Sequence, residues 1–85
     1  MKIIKFEATW CNTCKVQDKE LNKLSDVVIQ HVDMDEDYAE PLAGKYNVRN
    51  LPTMIVADDN GNELHRFTGL TKADDITYVI NHLDK

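Results

Sequence analysis

The tightest restriction on this chain is where its two cysteines fall. Cys11 and Cys14 lie three positions apart, at the point where an extended pattern gives way to a helical one. Lys2 to Glu7 is rich in Ile and Phe and reads as a strand. Cys11 to Ser25 contains no Pro or Gly and sets Cys14, Gln17, Leu21 and Leu24 at helical spacing, so it reads as an amphipathic helix beginning at the first cysteine. A sulfur at the start of a helix meets unpaired N–H groups and the positive end of the dipole, which stabilise a thiolate. The second sulfur follows about one turn later, within disulfide reach but more shielded. One thiol is thereby placed to attack a disulfide and the other to resolve the mixed disulfide, the division of labour that exchange requires.

The remaining segments read in turn as strand, helix, two strands and helix. Val27 to Val32 is β-branched, and a shorter helix follows, ending near Tyr46, with Pro41 in its first turn where a missing N–H costs little. Thr53 to Ala57 and Glu63 to Thr68 form a hairpin around Asp58-Asp59-Asn60-Gly61. Thr71 and Asp74 resemble a capping box, after which Ala73, Ile76, Ile80 and Leu83 line one helical face. The order is βαβαββα without repeat or linker. Strands joined through a helix should be parallel and the final hairpin antiparallel, which predicts an α/β fold with a mixed four-stranded sheet and helices on both faces. At 85 residues the chain is expected to form a single domain, 1–85.

Charge and spacing narrow the chemistry. The net charge of −5, with acidic residues clustered from Asp33 to Asp37, opposes binding to a phosphate backbone, so nucleic acid is not an expected partner. Asp33 to Asp37 itself reads as a solvated loop. No apolar stretch is long enough for a membrane span, and the opening Met-Lys-Ile-Ile-Lys is broken by charge too early for a signal peptide. The expected location is cytoplasmic, where a close cysteine pair is more often catalytic or metal-binding than structural. Cys-x-x-Cys is also half of many zinc sites, but zinc needs two further ligands. His31, His65 and His82 do not form a second ligand pair, so the expected metal content is none. Nor is a bound cofactor expected, since two sulfurs can carry the electrons themselves.

Phe6-Glu7-Ala8-Thr9-Trp10-Cys11-Asn12-Thr13-Cys14-Lys15 resembles the strand and W-C-x-x-C-K signature of the thioredoxin family. Val48-Arg49-Asn50-Leu51-Pro52-Thr53 resembles the family's second signature, an apolar residue followed by Pro-Thr at the start of the third core strand. Gly69 falls where the family has a glycine after the last strand. Relative to a full-length thioredoxin the first strand and helix are absent, leaving a minimal core similar in size to glutaredoxins. The resemblance implies a thioredoxin-like fold with sheet order 2-1-3-4 and a cis peptide bond before Pro52. It also implies a substrate-binding surface of Trp10, Leu51, Pro52, Thr53 and Gly69, with Leu70 completing an apolar rim around Cys11. Backbone at Leu51 could then pair with an extended substrate.

Two departures stand out. Asn12 and Thr13 replace the family's Gly-Pro, which predicts a modulated potential, less reducing than thioredoxin's value of about −270 mV. Lys5 stands where thioredoxin buries an Asp beneath the second cysteine, so the family's proton acceptor is missing. Strand alternation puts Ile3, Lys5 and Glu7 on one face, with His31 and Asp33 on the neighbouring strand. Lys5 could pair with Glu7 or Asp33, or extend its ammonium to solvent. Near Cys14 its charge would favour a thiolate. His31 is not expected to be catalytic.

Together these features imply a protein-disulfide reductase using catalytic Cys11 and Cys14, active in electron transport and cell redox homeostasis. Its expected partners are protein disulfides and, as electron donor, a thioredoxin reductase or the glutathione system. It is expected to act as a monomer. Two rivals remain: a glutaredoxin-like, glutathione-dependent enzyme, and a binding subunit in which the dithiol is secondary.

Overall fold

Alternation along the first strand decides how the layers stack. Ile4 and Phe6 point to one face of the sheet, while Ile3 and Lys5 point to the other, and all four are buried. A strand covered on both faces lies at the centre of a sheet. The computed structural model describes residues 1–83, so positions 84 and 85 of the expected domain lie outside the described residues. Its elements are β1 (Lys2–Glu7), α1 (Asn12–Leu21), β2 (Val28–Asp33), α2 (Ala39–Lys45), β3 (Thr53–Ala57), β4 (Glu63–Thr68) and α3 (Ala73–Leu83).

The sheet order is β2-β1-β3-β4, with β1 parallel to β2 and antiparallel to β3, and β3 antiparallel to β4. Every residue of β3 is buried, whereas edge strand β2 is only partly covered and edge strand β4 is mostly exposed. On one face Ile4, Phe6, Val32 and Ile55 pack against Ala39, Ala43 and Tyr46 of α2 and its end. On the other, Ile3, Met54 and Val56 pack against Leu21 of α1 and Ile76 of α3. The mixed sheet and two-sided packing therefore match the expected architecture.

Three local expectations change. The first helix stops at Leu21 rather than Ser25, because Asn22, Ser25 and Asp26 favour turns over helix, and Asp26 takes a left-handed φ of 61°. Leu24 still reaches the core, but from the turn. The second strand is shifted one residue, to Val28–Asp33. The Thr71–Asp74 capping box does not form: the Thr71 hydroxyl donates to the Gly69 carbonyl at 3.1 Å, and the Ala73 amide donates instead to Glu20 Oε1 at 2.9 Å. An ionised carboxylate is the stronger acceptor for a helix-opening amide. The hairpin turn is as expected, with Asp58 Oδ1 accepting the amides of Asn60 and Asn62 at 2.9 Å each and Gly61 at φ +84°.

Candidate active site

β1 runs directly at the start of α1, and the three residues Ala8 to Trp10 make the corner. The Cys11 amide donates to the Ala8 carbonyl at 3.1 Å, closing the corner and leaving Cys11 as N-cap of α1 in an extended conformation. Its sulfur then takes the place of the usual capping oxygen: Cys14 N–H donates to Cys11 Sγ at 3.1 Å. No acidic residue occupies the first turn of α1, so nothing there opposes negative charge on that sulfur. The two sulfurs are bonded as a disulfide, with Cα atoms 5.3 Å apart. Cys11 is 8% exposed and Cys14 2%; with Ala8 they form one small buried cluster, and Leu51 packs against it.

Around Cys11 lie the residues expected to bind substrate. Trp10 is 70% exposed, and its indole N–H donates to Asp35 Oδ1 at 3.3 Å. The other Asp35 oxygen accepts the Thr9 hydroxyl at 2.9 Å and the Thr9 amide at 3.4 Å. One member of the acidic run is thus a clasp on the loop before Cys11, a role that reading the run as solvated loop missed. The Leu51–Pro52 bond is cis, and Pro52 is buried. Thr53 is also buried, its hydroxyl donating to the Asn50 carbonyl at 2.6 Å, so the side chain anchors the loop from within. The Gly69 amide donates to the Pro52 carbonyl at 2.9 Å, and Gly69 has a φ of +84° that disfavours any side chain. Beside this loop a groove of about 390 Å³ is lined by Trp10, Met34, Val48, Arg49, Asn50 and Leu51. Asn12 and Thr13 are exposed on the outer side of the first helical turn, and neither side chain hydrogen-bonds a sulfur among the described residues.

Of the options open to Lys5, the structure takes the pairing with Glu7: its side chain is 1% exposed and does not extend to solvent, and its ion pairs are with Glu7 and Asp18, not Asp33. The ammonium donates to the Cys14 carbonyl at 2.8 Å and contacts Glu7 Oε1 at 2.8 Å and Asp18 Oδ1 at 2.6 Å. Exposed His31 adds its Nδ1 to Glu7 Oε1 at 2.9 Å, extending the chain to the surface without touching a sulfur. Burial pushes the Glu7 carboxyl up, but the hydrogen bonds from Lys5 and His31 together outweigh it and hold its pKa below the usual glutamate range. A cavity of about 180 Å³ lined by Lys5, Glu7, Asp18 and Cys14, among others, reaches the second cysteine from this side. Glu7, Asp18 and His31 bring ligand atoms within 4.8 Å of one another, yet the Lys5 ammonium already supplies the cation between the two carboxylates. Asp18 was not foreseen; the available signal was its spacing, four residues after Cys14 and hence one turn along the same helical face. Among the described residues, no helix is long and apolar enough to cross a membrane.

Comparison with known proteins agrees with this geometry. The thioredoxin of Chlamydia caviae is 37% identical over 83 residues, an alignment covering 93% of this chain and 78% of that protein. The protein disulfide-isomerase of Hordeum vulgare is 29% identical over 82 residues, covering 87% of this chain but 16% of that protein, so this chain spans only a small part of such relatives. The structure of thioredoxin-2 from the malaria parasite superposes with a TM-score of 0.81 at 29% identity, covering 94% of this chain and 80% of that one. The family model for thioredoxin matches residues 1–82, nearly the full length of the chain. With a family model matching nearly its whole length and a thioredoxin 37% identical to it, this chain belongs to the thioredoxin family.

Proposed function

We propose that the protein reduces protein disulfides through Cys11 and Cys14. The observation that carries this reading is the cap geometry, in which the Cys14 amide points at Cys11 Sγ and no carboxylate occupies the first helical turn. With the pair reduced, a Cys11 thiolate attacks one sulfur of a substrate disulfide, forming a mixed disulfide and expelling the other sulfur as a thiolate that takes a proton. Cys14 then loses its proton and attacks Cys11 Sγ, which breaks the mixed disulfide and releases the second substrate thiol. Two electrons pass to substrate and the Cys11–Cys14 bridge remains. Trp10, Leu51, Pro52, Thr53 and Gly69 are the substrate-binding residues of this reading, and Lys5, Asn12 and Thr13 the modulating ones.

The same reading has a thioredoxin reductase or glutathione recharge the oxidised pair, in the cytoplasm, with the protein acting as a monomer in electron transport. Its support is chemical: a closely spaced redox pair is useful where the surroundings keep thiols reduced. The test is reduction of insulin disulfides by the protein with NADPH and a thioredoxin reductase, against the same assay with glutathione. Turnover in either assay supports the reading, and which donor sustains it separates the thioredoxin-like from the glutaredoxin-like form. No turnover in either, from a protein whose two cysteines are reducible, contradicts it. A second reading, oxidation or isomerisation of disulfides, rests on the likeness to protein disulfide-isomerases. A potential well above thioredoxin's value of about −270 mV favours it.

A further inference from the structure

Gln17 is wholly buried on the face of α1 that also carries Cys14 and Leu21, a position that an apolar residue could fill without any polar group to satisfy. Its carboxamide makes two hydrogen bonds to one residue of another segment: Nε2 donates to the Thr71 carbonyl at 2.8 Å, and Oε1 accepts the Thr71 amide at 2.7 Å. The side chain thereby imitates a neighbouring strand and fixes the Thr71 backbone against α1, because a buried amide left with one bond is costly. From Thr71 the connection runs on. The Thr71 hydroxyl donates to the Gly69 carbonyl at 3.1 Å, and the Gly69 amide donates to the Pro52 carbonyl at 2.9 Å. Leu51, next to Pro52, packs on the cluster of Ala8, Cys11 and Cys14, and Leu70, between Gly69 and Thr71, is exposed.

We infer that Gln17 is a positioning residue that sets affinity for protein disulfides. It holds the Gly69–Thr71 backbone in register with the Leu51–Pro52 loop beside Cys11. The inference rests on the disulfide-reduction reading and deepens it. In that reading Gly69 is a substrate-binding residue, so a protein substrate lies along this backbone, whereas a small thiol reagent reaches Cys11 without it. Gln17 touches neither sulfur in this account, so its loss alters docking and leaves the thiol chemistry in place.

The test compares wild type with Gln17→Leu and Gln17→Glu in the full chain, reading KM and kcat for insulin reduction, the rate of Cys11 alkylation by iodoacetamide, and hydrogen exchange at the Thr71 amide. Gln17→Leu is expected to raise KM about three- to tenfold, the scale of one or two lost hydrogen bonds, with kcat and alkylation unchanged and Thr71 exchange accelerated. Gln17→Glu sets a carboxylate against the Thr71 carbonyl at neutral pH. Its KM should be raised there and recover toward wild type as the carboxyl protonates and can donate again, a pH signature that mere loosening does not produce. Glu20→Ala removes the cap on α3 but leaves the Gln17–Thr71 pair, so its KM should stay at the wild-type value.

Unchanged KM in Gln17→Leu despite faster Thr71 exchange overturns the inference, as does a fall in kcat and alkylation together with the rise in KM. An equal KM rise in Glu20→Ala also overturns it. If Gln17→Leu does not fold, Gln17→Glu decides through its pH recovery. A wild-type protein that reduces insulin while both variants match it fails the inference alone. A wild-type protein that reduces nothing removes the underlying function, and the inference with it.

Discussion

The two sulfurs differ little in exposure, both being buried, but the regions that flank them could hardly be less alike. Cys11 belongs to an apolar cluster with Ala8 on which Leu51 packs, next to the cis-Pro52 bond, and Trp10 and Leu51 in turn line a groove of about 390 Å³. Behind Cys14 lies a compact ion cluster in which one buried ammonium bridges the Cys14 carbonyl, Glu7 and Asp18. One region is largely apolar; the other is charged. What separates the two sulfurs in this structure is therefore not burial but the kind of neighbour each has, and neighbours of different charge shift a thiol differently.

The sharpest way to break that comparison is to remove each sulfur. Cys11→Ser should abolish disulfide reduction, whereas Cys14→Ser should stall as a stable mixed disulfide visible by mass spectrometry of the intact adduct. A Cys14→Ser protein that turns over normally would erase the distinction between the two regions.

Removing the cation from the Cys14 side comes next. Lys5→Ala leaves Glu7 and Asp18 facing each other without their shared partner. It should cost about 2 kcal/mol in chemical denaturation, below the figure for a fully buried pair because both carboxylates can rehydrate. It should also raise the Cys14 thiol pKa, since the positive charge that favours the thiolate is gone while two negative ones remain. Thiol titrations identical to wild type would make Lys5 a purely structural residue.

On the Cys11 side, Gly69→Ala should cost about 1 kcal/mol, the penalty of a Cβ at a left-handed φ. The cause is the backbone alone, because a Cβ there meets nothing within 4 Å. A variant as stable as wild type by thermal denaturation would show that this loop is not held at the described φ.

The smallest effect is a pH dependence. Because Glu7 ionises more readily folded than unfolded, the unfolded state binds more protons between the two pKa values. Its contribution is therefore present above the ordinary glutamate value of 4.5 and fades as pH falls through the lower folded value. The stability gap between wild type and Glu7→Gln should be widest near neutrality and close in acid. A gap that widens on acidification would reverse the sign of the Lys5–Glu7 interaction.

Most of the fold was legible because it is written locally. The apolar run of β1, the cysteine spacing and the Asp58–Gly61 turn each announce their own conformation, whereas the cis bond before Pro52 was foreseen only through the family resemblance. What failed to show was contact between distant segments. Lys5 read equally well as solvated or paired, because its partner Asp18 lies on α1, and only the packing of helix on strand brings them together. The same holds for Glu20, which displaced the local Thr71–Asp74 box by reaching the Ala73 amide from another helix. Asp35 was hidden inside an acidic run whose other members gave no hint that one carboxylate clasps Thr9 and Trp10. Gln17 was visible as a member of the buried face, but its bonds to Thr71 were not.

The central claim is that the helix cap makes Cys11 the nucleophile and leaves Cys14 in reserve. The most direct test is alkylation of the reduced protein with iodoacetamide across pH, followed site by site by mass spectrometry. The account predicts that Cys11 is labelled first and much faster near neutral pH, with Cys14 reacting only as the pH rises. Equal labelling of the two thiols, or faster labelling of Cys14, would contradict it.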